Sequence, residues 1–136
     1  MSYGMSQALQ EAVYRQLYEH PGVQAMVGEH VYDTVPAFIQ PGLYVVLGSE
    51  KVRDASDADG AGSIHELTVS VLTDAAGFSQ AKRAAGAASD ALHDAELTLT
   101  RGRVLALRFH KATAARVGSA DRRRIDLIFH ARLSDD

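Results

Sequence analysis

Histidine, a frequent metal ligand and acid–base catalyst, is scattered along this chain. The six histidines are His20, His30, His65, His93, His110 and His130. They form no i, i+4 pair and no H-E-x-x-H motif, so their spacing predicts no metal site. His110 and His130 do fall on the polar faces of two predicted neighbouring strands, where Asp126 and Glu66 can join them. One interpretation is therefore a small enzyme or ligand-binding domain that uses the polar sheet face around His110, Asp126 and His130. The commoner use of such a face is contact with solvent or with another subunit.

Two other short motifs resemble catalytic or cofactor-binding motifs, but the residues around them do not fit those functions. Leu47-Gly48-Ser49 lacks the second glycine of a nucleophile elbow. Gly60-Ala61-Gly62 precedes a predicted strand, whereas a dinucleotide fingerprint must open a helix whose amides bind phosphate. The chain contains no cysteine, which excludes disulfides, thiolate metal ligands and cysteine nucleophiles. We therefore expect no cofactor, no metal and no enzymatic activity.

The densest positive cluster is the run Arg122-Arg123-Arg124. Such a run fits contact with phosphate or with carboxylates of another subunit, or a hairpin end that is simply solvated. The natural protein partner is an acidic loop of a neighbouring copy, which contains Asp54, Asp57 and Asp59. A formal net charge of −3 and a pI near 6.0 give no general attraction to nucleic acid or to an anionic membrane. We expect no sequence-specific nucleic-acid binding, although a nucleic-acid module acting through this run is an alternative that salt-dependent binding would reveal.

The element that positions these residues is a predicted helix over Asp74–Leu97. Its apolar stripe recurs at steps of three and four, the spacing of one helix face; it consists of Phe78, Ala81, Ala85, Ala88 and Leu92. Stretches before and after it alternate between apolar and polar residues, the period of half-buried strands. These stretches are His65–Val71, Leu105–His110 and Arg124–Leu133. The sequence thus predicts an α+β fold, a mainly antiparallel β-sheet with a long central helix and an N-terminal helix packed against it.

The N-terminal helix is predicted to begin at Ser6, whose hydroxyl is suited to an N-cap, and to end at His20-Pro21-Gly22. Tyr44 and Val46 lie in a near-continuous apolar run, which is typical of a strand covered on both faces or buried at a subunit contact. Between the two, the apolar segment Val35–Ile39 fits either a loop folded on the core or a patch covered by another subunit.

The remaining connections are predicted as loops and one short strand. Glu50–Ser63 is expected to be a long, mobile hairpin loop, and loops of this length in small domains are usually functional or disordered. Ala95–Thr100 fits a short strand that leads to a turn at Arg101-Gly102. Ala112–Arg123 is expected to be a loop before the last strand. No apolar run approaches the roughly 20 residues that cross a bilayer, and we predict one domain over residues 1–136.

The order of these signals resembles a known family. The early stretch Ala8–Tyr14 is followed by Val31–Pro36 and Tyr44–Gly48, and an aspartate-rich loop then leads to a strand that ends near Val71-Leu72-Thr73. Gly77–Lys82 begins the central helix. This ordered set, which covers essentially the whole chain, is similar to the tail-completion or tail-terminator proteins of long-tailed phages and gene transfer agents.

The resemblance implies a structural protein without catalytic residues. Its copies are expected to form a ring, most often a hexamer, at the head-proximal end of the tail tube. The ring would stop polymerisation of the tail tube protein and join the tail to the head–tail connector or stopper protein of the neck, in a phage-like particle assembled in the bacterial cytoplasm. Interface residues are then expected among the acidic loop, the apolar strand and the basic run; they are Asp54, Asp57, Asp59, Tyr44, Val46, Arg122, Arg123 and Arg124.

Overall fold

The computed structural model describes residues 3–33, 42–58, 60–118 and 122–136. Three helices and five strands follow one another along the chain. The helices are α1 (Ser6–Glu19), α2 (Pro21–Val27) and α3 (Ser79–Leu92). The strands are β1 (Val31–Tyr32), β2 (Tyr44–Asp54), β3 (Gly62–Thr73), β4 (Arg103–Val117) and β5 (Arg122–Ser134). None of the helices in the described part of the chain has the length and apolar character needed to span a lipid bilayer.

The strands form one mixed sheet in the order β1-β2-β3-β5-β4. The short β1 runs parallel to β2, and the pairs β2–β3, β3–β5 and β4–β5 are antiparallel. The α+β class is therefore confirmed, and the sheet is mixed because β1–β2 is parallel whereas the other pairs are antiparallel. The segment Val35–Ile39 lies outside the described residues.

The helices cover one face of the sheet. Odd-numbered residues of β3 and β5 point into this layer, because Val69 pairs with Leu127 and Val71 pairs with Ile125. The predicted apolar stripe of α3 is confirmed, since Ala81, Ala85, Ala88 and Leu92 are buried and Phe78 packs against the core. Alanine at these positions lets the helix approach the sheet closely.

The α3 helix is shorter than predicted. It has 14 residues, the same length as α1, instead of extending over Asp74–Leu97. Its C-terminal end is set by His93, which has extended backbone angles, and by Asp94, whose φ of 57° is incompatible with a continuing helix. Residues 95–100, all of them described, contain no strand, so the strand predicted there is wrong. The turn at Arg101-Gly102 is present, with a φ of 74° at Gly102.

Both predicted long loops are largely strand. The β2–β3 connection is only 55–61, since cross-strand pairing extends through Asp54 and Ser63. The β4–β5 pairing likewise continues to Val117 and Arg122, so the loop predicted at Ala112–Arg123 is part of a long hairpin. Cross-strand hydrogen bonds stabilise these polar segments, although local composition favours loops.

Irregularities in the pairing change the side-chain pattern of two strands. The β2–β3 register shifts between Leu47 and Glu50. In β4 it shifts between Val104 and Ala106, which leaves Leu105 unpaired and 48% exposed. The simple alternation predicted for Leu105, Leu107 and Phe109 is therefore wrong at Leu105, because a bulge inserts an extra residue and turns its side chain away from the core.

Candidate functional site

The predicted histidine face is only partly assembled. The rings of His110 and His130 stack with centroids 4.2 Å apart and planes 20° apart. The Nε2 atom of His130 lies 3.3 Å from Oε1 of Glu66. Asp126 does not join them, because its Oδ1 accepts hydrogen bonds from Ser70 Oγ at 2.6 Å and Arg124 Nε at 2.8 Å.

This arrangement has little capacity for metal chemistry. Stacked imidazoles present their nitrogens in parallel planes, whereas a metal needs donors that converge on one point. Among the residues that the structure describes, no group of three or more His, Cys, Asp or Glu side chains is placed to hold a metal ion. The geometry therefore gives no support to a ligand site at His110, Asp126 and His130.

A hydrogen-bonded chain that the sequence patterns did not reveal lies on the opposite face of the sheet. Ser63 Oγ is 2.9 Å from His65 Nε2, and His65 Nδ1 is 3.0 Å from Glu50 Oε2. The connectivity matches that of a serine hydrolase relay. Ser63 and His65 are both 0% exposed, however, so the hydroxyl has no access to a substrate. We interpret this Ser63–His65–Glu50 chain as structural.

The Glu50 carboxylate also binds residues near the N-terminus and links them to the sheet. Ser6 Oγ donates to Glu50 Oε1 at 2.8 Å, and Tyr3 OH donates to the same oxygen at 2.9 Å. The predicted N-cap role of Ser6 is wrong, because Ser6 lies inside α1 and its hydroxyl binds Glu50. Burial disfavours the charged carboxylate, but hydrogen bonds from His65, Ser6 and Tyr3 outweigh it and lower the pKa of Glu50 below its ordinary value.

Two of the three arginines of the basic run Arg122-Arg123-Arg124 are buried. Arg122 and Arg123 are only 7% and 4% exposed. The guanidinium of Arg122 lies 5.8 Å from the centre of the Tyr44 ring. Arg123 donates to the Ala76 carbonyl at 2.6 Å and lies over the Phe78 ring, so it fixes the approach to α3. Arg124, half-buried, pairs with Asp126.

The other predicted interface residues lie apart from this run or beneath it. Tyr44 and Val46 are buried in a small cluster with Leu72, on the sheet face away from the helices. Asp54 and Asp57 are exposed near the β2–β3 turn, where Asp54 Oδ1 accepts a hydrogen bond from Ser56 Oγ at 2.7 Å. Asp59 lies outside the described residues.

The outer edge of β4 is covered along its first half and open along its second half. The segment after α3 caps its first half, where the Asp94 amide donates to the Leu107 carbonyl and the Phe109 amide donates to His93 Nδ1. Beyond this cap, Lys111–Arg116 is exposed at every position. No described strand pairs with this outer edge.

An apolar groove of about 310 Å³ lies between α3 and this open part of β4. Ala85 and Gly86 line its helix side, Ala112 and Ala114 line its strand side, and Phe109 is 39% exposed at its end. An exposed apolar groove beside an unpaired strand edge is a typical place for another polypeptide to bind.

Comparison with known proteins identifies a family and a similar solved structure. Residues 11–134 match the family model described as "Tail completion protein gp17". A solved chain from "Virion of native gene transfer agent (GTA) particle" is 54% identical, and the alignment covers 98% of this chain and 99% of that chain with a TM-score of 0.91. No curated protein sequence gave a match.

Proposed function

Because this chain belongs to the tail completion protein family, we propose that its copies form a ring that closes the head-proximal end of a tail tube. Family membership and the similarity to a chain of a gene transfer agent particle support a structural tail protein associated with other particle proteins. In this proposal the ring stops polymerisation of the tube protein and joins the tail to the neck. The role is one of binding, and no residue is assigned to catalysis.

The proposal rests on the difference between the two edges of the sheet, which leave different strands without a partner. At one end, Lys111–Arg116 of β4 is exposed and lacks a described partner strand. At the other end, β1 pairs only with Val45 and Val46, so β2 beyond them has no described neighbour on that side. Different edges favour head-to-tail contacts between copies, and such contacts produce rings when the rotation closes. A hexamer is the subunit number that we propose.

The groove between α3 and β4 supplies the apolar part of the proposed contact between copies. A segment of the neighbouring copy that lies beside Ala112 and Ala114 would bury these small side chains together with Phe109. Small residues permit close approach, and removal of apolar area from water stabilises the contact by roughly 25 cal/mol per Å². The unpaired backbone groups of β4 gain partners in the same step.

Charge provides the orientation of the proposed contact. The exposed carboxylates Asp54 and Asp57 lie near the β2–β3 turn, and β4 carries Arg108 and Lys111 on its exposed surface. We propose that the acidic turn of one copy faces the basic strand of the next. Exposed ion pairs add little stability but contribute to orientation and specificity.

A ring built from head-to-tail contacts has two chemically different end faces. One face complementary to the tube end and the other complementary to the neck connector are sufficient to end polymerisation, because further tube subunits find no matching surface. We therefore propose the tail tube protein and the neck protein as its partners. The proposed location is the tail–neck junction of a phage-like particle assembled in the bacterial cytoplasm.

Two neighbouring alanines on opposite faces of β4 give a matched test. Ala114→Trp fills the groove and should prevent ring formation on tail tubes, whereas Ala115→Trp, directed to the other face, should leave it intact. Circular dichroism checks folding, and electron microscopy with sedimentation measures assembly. Particles that lack the protein should carry tails of uncontrolled length or tails without heads. Wild-type protein that remains monomeric alone and with tube ends would contradict the proposed function.

A further inference from the structure

The sheet face opposite the helices is rich in basic side chains. Cross-strand register places even-numbered residues of β3 and β5 on this face, together with β2 and β4 residues paired to them. Its exposed or half-buried Lys and Arg residues are Lys51, Arg53, Arg103, Arg108, Lys111, Arg124 and Arg132. Three strands, β2, β4 and β5, contribute to this group, which we call the basic face.

Two carboxylates on the basic face are already engaged, and Asp57 and Asp136 line a pocket with Arg103 and Arg132 at one end of it. Glu66 lies 3.3 Å from His130, and Asp126 binds Arg124 and Ser70. By contrast, Lys51, Arg53 and Arg132 are exposed and form no ion pair with any residue in the described ranges. A cavity of about 350 Å³ lies along Lys51, Arg53, Ile64, Glu66 and His130.

This concentration of positive charge contrasts with the whole chain, whose formal net charge is −3. Many carboxylates occur on the helices and on their connections, and Asp54, Asp57, Asp135 and Asp136 lie at one end of the sheet. Those on the helices and their connections include Glu11, Glu19, Glu29, Asp33, Asp74, Asp90, Asp94 and Glu96. Such a separation of charge attracts a polyanion to one face and repels it from the other, so it also fixes the orientation of binding.

The composition of the basic face favours the backbone of duplex DNA over an acidic protein. Protein interfaces depend on a buried apolar centre with aromatic anchors. Here Leu105, beside Arg103 and Arg132, is exposed, but the other large apolar side chains described on this face are buried, as in Tyr44 and Val46, or partly buried, as in Ile64 and Ile128. Single-stranded nucleic acid requires exposed aromatic rings for base stacking, and apart from the stacked histidines the described part of this face has none. We propose that the basic face binds duplex DNA through its phosphates, without sequence preference, and that it does so with the cations outside the proposed contact between copies, which are Lys51, Arg53, Arg103 and Arg132.

The inference goes beyond the ring. It assigns this protein a direct contact with DNA, whereas termination of a tube requires only protein contacts. Rigid strands hold the cations in fixed positions, with side chains on one face of a strand spaced by about 7 Å along the strand. Phosphate contacts of this kind position a duplex but do not read its sequence.

The test compares two triple variants of the full chain with equal changes in charge. Lys51→Gln, Arg53→Gln and Arg132→Gln remove cations from the basic face. Lys82→Gln, Arg83→Gln and Arg15→Gln remove exposed cations from the helices. Fluorescence anisotropy measures binding to a labelled random-sequence DNA duplex between ~50 and ~200 mM salt, a range over which phosphate contacts weaken strongly. Sedimentation records the assembly state of every sample.

Wild-type protein should bind with an affinity that falls steeply with salt. The basic-face variant should bind at least about tenfold more weakly at low salt, and its log–log salt slope should be smaller by about three units, one for each lost contact. The helix-face variant should retain wild-type affinity. Absence of duplex binding by wild-type protein, or equal losses in both variants, would overturn the proposal.

Competition and assembly separate the remaining alternatives. Polyglutamate that displaces the duplex as effectively as unlabelled DNA would assign the face to an acidic protein and overturn the proposal. Ring formation on tail tubes, measured with wild-type protein and with the basic-face variant, reports on the proposed function independently. Wild-type protein that forms normal rings but does not bind duplex DNA refutes only the DNA contact, whereas wild-type protein that binds the duplex without forming rings refutes only the ring.

Discussion

Two histidine regions on opposite faces of one sheet show how the surroundings determine the role of a side chain. On the helix-covered face, His65 is completely buried and lies between Ser63 and Glu50. On the other face, His130 is half-buried, stacks on His110 and lies 3.3 Å from Glu66. Buried polar atoms require specific partners because no water replaces a lost hydrogen bond. The exposed pair is free of this requirement.

Hydrogen bonds with the connectivity of a catalytic relay are therefore insufficient for catalysis. Ser63, His65 and Glu50 have the order of a nucleophile, base and acid, but the Ser63 and His65 side chains are completely buried. The accessible histidines have solvent contact, but no third donor or nucleophile converges on them in the described residues. Among the described residues, the relay-like hydrogen bonds and the accessible histidines therefore lie on different faces of the sheet.

The largest contrast is expected from removal of the buried imidazole. His65→Ala leaves Ser63 and Glu50 without their shared partner and creates a cavity, so we expect a loss of about 2–4 kcal/mol in the free energy of unfolding. His130→Ala should cost less than about 1 kcal/mol, because an exposed pair contributes little. Urea unfolding of both variants measures the difference. Equal losses would show that burial does not separate the two regions.

A second contrast is expected within the basic run. Arg123→Met removes the hydrogen bond to the Ala76 carbonyl and should reduce the free energy of unfolding by about 1–3 kcal/mol. Arg124→Met is the matched control, with an expected loss below about 1 kcal/mol because Arg124 is half-buried and pairs near the surface. Thermal unfolding followed by circular dichroism tests this order, and a larger effect at Arg124 would contradict it.

Acid should weaken the buried region through Glu50. Its pKa is lower in the folded chain than the ordinary 4.5. The folded state therefore binds fewer protons than the unfolded state at pH values between the two pKa values, so this contribution is present above about 4.5 and lost as the pH falls through the folded pKa. The Glu50→Gln variant should show a shallower decline in unfolding free energy below pH 4.5. Parallel declines would exclude Glu50 as the source.

The smallest effect is expected at His110. Its side chain is exposed and stacks on His130 at the surface. His110→Ala should change the free energy of unfolding by no more than about 0.5 kcal/mol, the usual range for surface substitutions. A loss comparable to that of His65→Ala, measured by the same urea unfolding, would show that the stack has a structural role.

Prediction of the candidate sites from sequence succeeded only in part. The cross-strand meeting of His110 and His130 followed correctly from alternation on two strands. The hydrogen-bonded Ser63–His65–Glu50 chain was not predicted. It depends on the β2–β3 pairing, whose register shift after Leu47 brings Glu50 beside His65. Alternation alone did place His65 among buried residues, which was the available signal that it needs a polar partner.

The sequence by itself determined the α+β class, the buried stripe of α3 and the inward residues of β5, because side-chain periodicity depends only on local backbone geometry. Only the tertiary structure decided that β1 is parallel to β2, that the predicted loops continue as paired strands, and that Arg123 is buried. These features depend on contacts between residues distant in the chain. Their stability comes from cross-strand hydrogen bonds and packing, which no local pattern records.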